Sequence, residues 1–511
     1  MSTFIIGIVI LIVGGGLYGA LCQKVFGPDD RKTPAFTKQD GVDYVPMPKW
    51  KNSLINLLNI AGTGPILGPI QGILFGPVAF ISIPIGCVLG GAMHDYFSGM
   101  ISVREGGIQM PELVRRNTGH VVHKVYTVFV CLVLFLIGVV FVYTPGDIAA
   151  TQIFGFKDPN GVGVWVIYAV IFAYYLIATL FPIDKIIGKI YPIFGAILLI
   201  SAVGVFIMLF IKGYPMVEVW QPWVLNGFDF GEYFASEKFI PTFFVTVACG
   251  ILSGFHSTQI TLVTRTMESE REGRFTFYNM MLAEGFIAMA WAAGTMAMIG
   301  IGAENLGITM QMTEGGWSYF ASVGGEIQQI SATSVVGVVC KNMLGNIGGL
   351  IAIIGVVILP ITSGDTALRS LRLIIAETFH IPQDNSKKRM LLSIPVFALA
   401  VLVLFWAKTN PKGFNTIWRY FGWSNQTLAV FAMAAILIWL MQNGKGKFLW
   451  IPLFPMVFYA FVTTAYICSA QIGLRMPHEV ALGVGLAVAV IVMVAVIWRG
   501  SKEIPKKEAE E

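Results

Sequence analysis

Apolar runs long enough to cross a membrane, separated by polar connections, recur from one end of the chain to the other. A hydrophobic span needs about 20 residues, and by that rule the pattern predicts thirteen: 4–21, 52–74, 76–99, 123–143, 163–182, 190–212, 240–265, 278–301, 346–370, 391–407, 419–441, 449–470 and 479–498. The pair joined at Gly76-Pro77 is either a tight hairpin or one interrupted element. Lys and Arg fix the expected orientation. With the N-terminus outside, 26 of the 34 fall in inner connections, including 183–189 and the tail after 499, as the positive-inside rule requires. The run from Thr3 to Leu21 lacks a basic leader and is followed by Lys24, Arg31 and Lys32, so it is expected to be an uncleaved first span. The tail from Ser501 to Glu511 is then cytoplasmic.

Composition agrees and narrows the class. Of 511 residues, 56% are hydrophobic and 12% charged, against about 25% charged in soluble domains. Such a chain cannot clothe a water-facing surface, and no polar stretch reaches the size of a soluble domain. The net charge of +5 comes from residues flanking apolar runs, which excludes a nucleic-acid partner. Cys22, Cys87, Cys131, Cys249, Cys340 and Cys468 show no C-x-x-C spacing and are read as packing residues. No nucleophile elbow, P-loop or His-Glu-x-x-His occurs, so neither an enzyme nor an ATP-driven pump is expected.

Two spans are broken at mid-depth. Gly62-Thr63-Gly64-Pro65-Ile66-Leu67-Gly68-Pro69 combines residues that unwind a helix with prolines that cannot donate its hydrogen bond. Backbone opened in this way must be buried or line a polar cavity, and the amides of Gly64 and Gly68 suit a carboxylate; a kink packed on a neighbour is the plainer alternative. Five spans later, Ala248-Cys249-Gly250 and Ser253-Gly254-Phe255-His256 interrupt another apolar run. Paired broken helices in two halves point to a transporter binding site. The division that follows is an all-α polytopic protein with an extra N-terminal helix and cytoplasmic connection (1–51), a five-helix repeat (52–212), an outer connection (213–239), a second five-helix repeat (240–441) and two C-terminal helices with a tail (442–511). Five spans per half give opposite topologies, an inverted 5+5 repeat. Within the second half, the outer segment 302–345 is expected to form a lid or a re-entrant helix, and Trp220, Trp223 and Trp317 read as interfacial anchors.

Ionisable residues inside spans are costly and face the interior. His94, Asp95, Glu284 and Asp365 fall on the cytoplasmic side, at depths close to Arg104, Arg265, Arg369 and Arg372. They form an inner gate of ion pairs, a proton relay through Glu284 or His256, or static structural pairs. Thr362 and Ser363 offer hydroxyls that, with carbonyls of 61–64, suit sodium, or else bond their own backbone. Asn425 and Gln426 are interhelical glue or cavity lining.

From about residue 50 to 430 these motifs, together with His94-Asp95, Ser102-Val103-Arg104, Thr362 to Arg369 and Phe421-Gly422, resemble the carbon starvation protein A family in the right order. The resemblance implies a secondary transporter of a prokaryotic cytoplasmic membrane, with a leucine-transporter-like fold and small peptides or pyruvate as substrates. Proton coupling follows for pyruvate-carrying relatives. The expected substrate site is Gly62, Thr63, Gly64 and Gly68 facing Ser253 and His256. Coupling or gating falls to Asp95, Glu284, Asp365, Arg104 and Arg369, and a sodium site to Thr362 and Ser363. Partners are the bilayer and the small-molecule substrate, with a proton or sodium as coupling ion, no other cofactor, and no signature of a particular oligomeric state. A sodium-coupled amino-acid transporter of the same fold and a gated channel are the alternatives; no filter sequence or charge ring supports the channel.

Overall fold

In hydrocarbon every backbone amide and carbonyl must be paired within the chain, so uninterrupted apolar runs become helices and interrupted ones become half-helices. A computed structural model describes residues 1–502 apart from 42–43, 157, 159, 181–183, 314–315, 382–385 and 411. The expected tail beyond 502 and the start of the 183–189 connection lie outside the described residues.

In chain order the main helices are α1 (Ser2–Phe26), α2 (Lys49–Ile60), α3 (Gly64–Phe75), α4 (Ala79–Arg104), α5 (His120–Ile153), α6 (Val162–Leu180) and α7 (Asp184–Lys212). After a connecting segment come α8 (Phe239–Thr246), α9 (Gly254–Val263) and α10 (Met280–Ile301). The chain ends with α11 (Ala332–Thr378), α12 (Ser386–Thr409), α13 (Gly413–Gln442), α14 (Trp450–Ser469) and α15 (His478–Gly500). Among the described residues, ten helices are long and apolar enough to cross a membrane, or eleven if the bent pair α2 and α3 counts as one. The α6 stretch is shorter, and the run containing α8 and α9 is too interrupted to qualify.

Burial sorts the helices. The apolar windows of α10, α13 and α4 are 83%, 78% and 72% buried within the protein, against 17% for α15 and 22% for α12, so the first three form the centre and the last two face outward. Lipid offers no hydrophobic drive for helices to associate, so close packing of small residues must hold them. At Gly7 an added Cβ would lie 2.1 Å from the Phe80 carbonyl, and at Gly254 it would lie 2.4 Å from the backbone of Ala429. The main chains touch where only glycine fits.

The segment 302–345 corrects the all-α expectation. Its first part is a three-stranded antiparallel sheet, β1 (Ile308–Thr313), β2 (Gly316–Val323) and β3 (Glu326–Ile330). Gly324 and Gly325, at φ +65° and +92°, make the β2–β3 turn, a conformation that favours glycine and matches the strand twist. The remainder is the start of α11, set off from the later span by a break at Gly345, φ +71°. The sheet rests on the second half-helix of the first broken span: the Tyr319 hydroxyl donates to the Ile70 carbonyl at 3.1 Å. Trp317 sits edge-on to Phe228, ring centres 5.5 Å apart.

Candidate functional site

The two breaks meet at the centre of the protein. At the first, α2 ends with the Ala61 amide on the Leu57 carbonyl and the Gly62 amide on that of Ile60. The chain turns by 50° and α3 begins at Gly64, where the amides of Ile66 and Leu67 donate to the Thr63 carbonyl. The Thr63 hydroxyl is buried and has no hydrogen-bond partner among the described residues. At the second, Leu252 and Ser253 are extended, with α9 starting immediately after them. A Cβ on Gly64 would lie 2.2 Å from both Cβ and Sγ of Cys249, and Cys249 Sγ is 3.9 Å from Ser253 Oγ. Gly64 and Ser253 therefore share one junction, through Cys249.

Other expected members lie elsewhere. Gly68 is inside α3, where its amide belongs to the helical ladder rather than to an open break, and it lets the Thr246 and Val247 backbone approach. His256 turns away from the glycines, toward α4 and α10. Its Nδ1 is 3.0 Å from Asp95 Oδ2, and its Nε2 is 3.4 Å from Glu284 Oε2. His94 Nδ1 is 2.8 Å from the other Asp95 oxygen. All four side chains are fully buried, and a π-helical turn at Cys87–Gly91 immediately precedes the His94-Asp95 pair. If Asp95 accepts from both Nδ1–H groups, Nε2 is the nitrogen of His256 that faces Glu284, and neither it nor the Glu284 carboxylate has a hydrogen-bond partner among the described residues. Burial makes an uncompensated charge expensive here, so the protons held by this chain of groups determine its charge.

Arg104 and Arg369 pair with other carboxylates, Glu270 and Asp365. Arg104 reaches the Glu270 carboxylate, with Nη2 at 3.0 Å from Oε2, and donates to the Gly27 carbonyl. This pairing belongs to a polar layer in which Arg31 hydrogen-bonds Asp29 and holds its carboxyl well below the usual range. Arg369 Nη2 is 3.8 Å from Asp365 Oδ2, one turn away on α11. Thr362 Oγ1 donates to the Leu359 carbonyl of its own helix, and Ser363 Oγ is 3.2 Å from that same carbonyl as well as 3.1 Å from the Leu58 carbonyl near the end of α2.

Asn425 acts as glue between helices. Its Oδ1 accepts from the Phe255 amide at 2.7 Å, capping α9 from α13, and its Nδ2 is 3.0 Å from Ser253 Oγ. Gln426 donates to the Phe244 carbonyl of α8. Asn425→Leu strands a buried amide and hydroxyl, so it should cost about 2 kcal/mol, read as a lowered melting temperature in detergent. Asn425→Asp, which keeps the acceptor, should lose less.

A second feature falls outside the expected site residues, none of which is in its lining. A cavity of about 2350 Å³ opens beneath the sheet and runs inward to Gln71 of α3 and Thr242 and Thr246 of α8. On its wall Lys408 Nζ meets Asp147 Oδ1 at 2.6 Å, and Thr333 Oγ1 donates to the other Asp147 oxygen at 2.6 Å. The signal was present: Asp147 follows Pro145-Gly146 just past the expected fourth span, and Lys408 lies one residue past the tenth.

The family model described as "Carbon starvation protein CstA" matches residues 1–154, 149–315 and 304–466. A membrane protein of Haemophilus influenzae is 42% identical over 57% of this chain and 89% of its own length. The peptide transporter CstA of Campylobacter jejuni is 25% identical over 98% of this chain and 83% of its own, and that of Escherichia coli is 24% identical over 86% and 76%. In fold, the chain is similar to a manganese transporter of Eremococcus coleocola, with TM-score 0.56 and 9% identity, covering 90% of this chain and 98% of that one.

Proposed function

The chain belongs to the carbon starvation protein CstA family, and from that premise we propose that it is a secondary transporter importing a small carboxylate-bearing solute, a peptide or pyruvate, together with a proton. It works without catalytic chemistry, in the cytoplasmic membrane of a bacterium, with its N-terminus outside. Relatives named as peptide transporters support the substrate class.

The observation that carries the reading is the construction of α9. Its first turn begins at the Ser253 break and holds His256, whose ring contacts Asp95 and Glu284. Solute at the break and proton at His256 Nε2 therefore act on one short half-helix. Gaining a proton changes the charge buried between α4, α9 and α10, and solute adds contacts at the junction of Gly62, Thr63, Gly64 and Ser253. Each biases the same two-state movement of the half-helices, which is what coupling requires. Arg369, on the Ala178 carbonyl, and Arg104, on Glu270 and Gly27, hold elements around this centre.

Ser363 beside the Leu58 carbonyl favours sodium as a second reading. The test is uptake of trialanine and of pyruvate by the full chain in liposomes under an imposed proton or sodium gradient. An inside-alkaline gradient is expected to drive accumulation that a protonophore collapses. Accumulation driven by sodium alone, and lost when Thr362 and Ser363 are both replaced by Ala, would transfer coupling to that site. No uptake under either gradient would remove the transport reading.

A further inference from the structure

The cavity beneath the sheet has a charge bias and a floor built for an anion. Its described lining includes Lys238, Lys341, Lys408, Lys412, Arg419 and Arg475, against three acids, Asp147, Glu237 and Glu326. The basic excess attracts carboxylates into a low-dielectric cleft. Of the basic residues, Lys408 is the most buried: it is 8% exposed, and its ammonium is 5.0 Å from the centre of the Tyr143 ring and 5.9 Å from that of Tyr168.

The ion pair at Lys408 is asymmetric. Asp147 has two partners, Lys408 on one oxygen and Thr333 on the other. Lys408 has three donors and, among the described residues, a single hydrogen-bond acceptor, Asp147. If the ammonium swings toward a second carboxylate, Asp147 keeps the Thr333 hydroxyl. The pair also ties three helices together, with Asp147 on α5, Thr333 on α11 and Lys408 on α12. In the expected division, α5 lies in the first repeat and the other two lie in the second.

We propose that Lys408 receives the carboxylate of the incoming solute, with Asp147 occupying that place while the cavity is empty. The proposal rests on the transport reading above and deepens it by naming the group that recognises the solute. Removing one partner of a buried ion pair is strongly destabilising, whereas exchanging Asp147 for a solute carboxylate keeps Lys408 paired. The exchange loosens the tie between α5 and α12 only when a carboxylate is present to replace it, while Thr333 keeps α11 on Asp147. An amidated or esterified solute lacks that ability.

The experiment compares trialanine with trialanine amide as solutes for the full chain in liposomes. The parent protein is expected to take up the free acid with the lower KM. Lys408→Gln should raise the KM for trialanine roughly tenfold to a hundredfold, the loss of a charge-assisted hydrogen bond, and leave the KM of the amide unchanged. Asp147→Asn, which frees the ammonium, should lower the KM for trialanine. Should Lys408→Gln fold poorly because Asp147 is left unpaired, the double variant Asp147→Asn/Lys408→Gln removes both charges and must show the same loss of preference for the acid. A static structural pair would depress kcat for both solutes alike and preserve the preference, which overturns the assignment of Lys408 alone. A parent protein that carries neither solute overturns the peptide-transport reading beneath it.

Discussion

Glu284→Gln is expected to abolish accumulation of solute while leaving solute exchange across the membrane intact. Gln keeps the shape of the side chain and removes both its charge and its exchangeable proton. With one proton carried per solute, a pH difference of one unit supports roughly tenfold accumulation, and the variant should stop at equal concentrations on both sides. Exchange of labelled for unlabelled solute needs the half-helices to move with solute aboard but needs no net proton transfer. It should therefore survive, and it should lose its dependence on pH. The groups that face this position and govern the outcome are His256 and Asp95, with His94 behind them. Full accumulation by Glu284→Gln would exclude the carboxylate from coupling.

The second large effect is steric and has a built-in rescue. A methyl group at Gly64 would stand 2.2 Å from Cys249 Cβ and Sγ but 3.6 Å from its Cα, so the clash lies with that side chain alone. Overpacking of a tight contact costs about 1–3 kcal/mol. Strain of that size falling on the moving state slows turnover by roughly tenfold to a hundredfold. Gly64→Ala should therefore lower both the melting temperature and the uptake rate, and Cys249→Gly introduced alongside should restore much of each. Failure of the second substitution to relieve the first would mean that the two breaks do not meet as described.

How much of this was readable from the residues depends on how local the cause was. The two breaks were legible because Gly and Pro disturb a helix by their own covalent structure, whatever surrounds them. The buried acids were legible because charge within an apolar run is rare. Their partners were not. His256 meets Asp95 across two helices distant in sequence, and depth alone grouped Asp95 with Arg104, whose side chain instead reaches Glu270.

Asp147 and Lys408 escaped for a related reason. Each stands just beyond the end of an apolar run, where a charge is normally solvated, and only packing of α5 against α11 and α12 encloses them. The sheet in 302–345 was missed because the segment was measured by its polarity and length. The Gly324-Gly325 turn, between strands containing Tyr319, Phe320, Val323, Ile327 and Ile330, was the local sign of it.

In the proposed mechanism, solute and proton move together through α9 and its neighbours. It is tested most directly by a pH-sensitive dye sealed inside liposomes bearing the protein, with equal pH on both sides and solute added outside. The account predicts acidification of the interior on addition of trialanine or pyruvate, with Glu284→Gln giving solute exchange but no acidification. Entry of solute without any change in internal pH would contradict it.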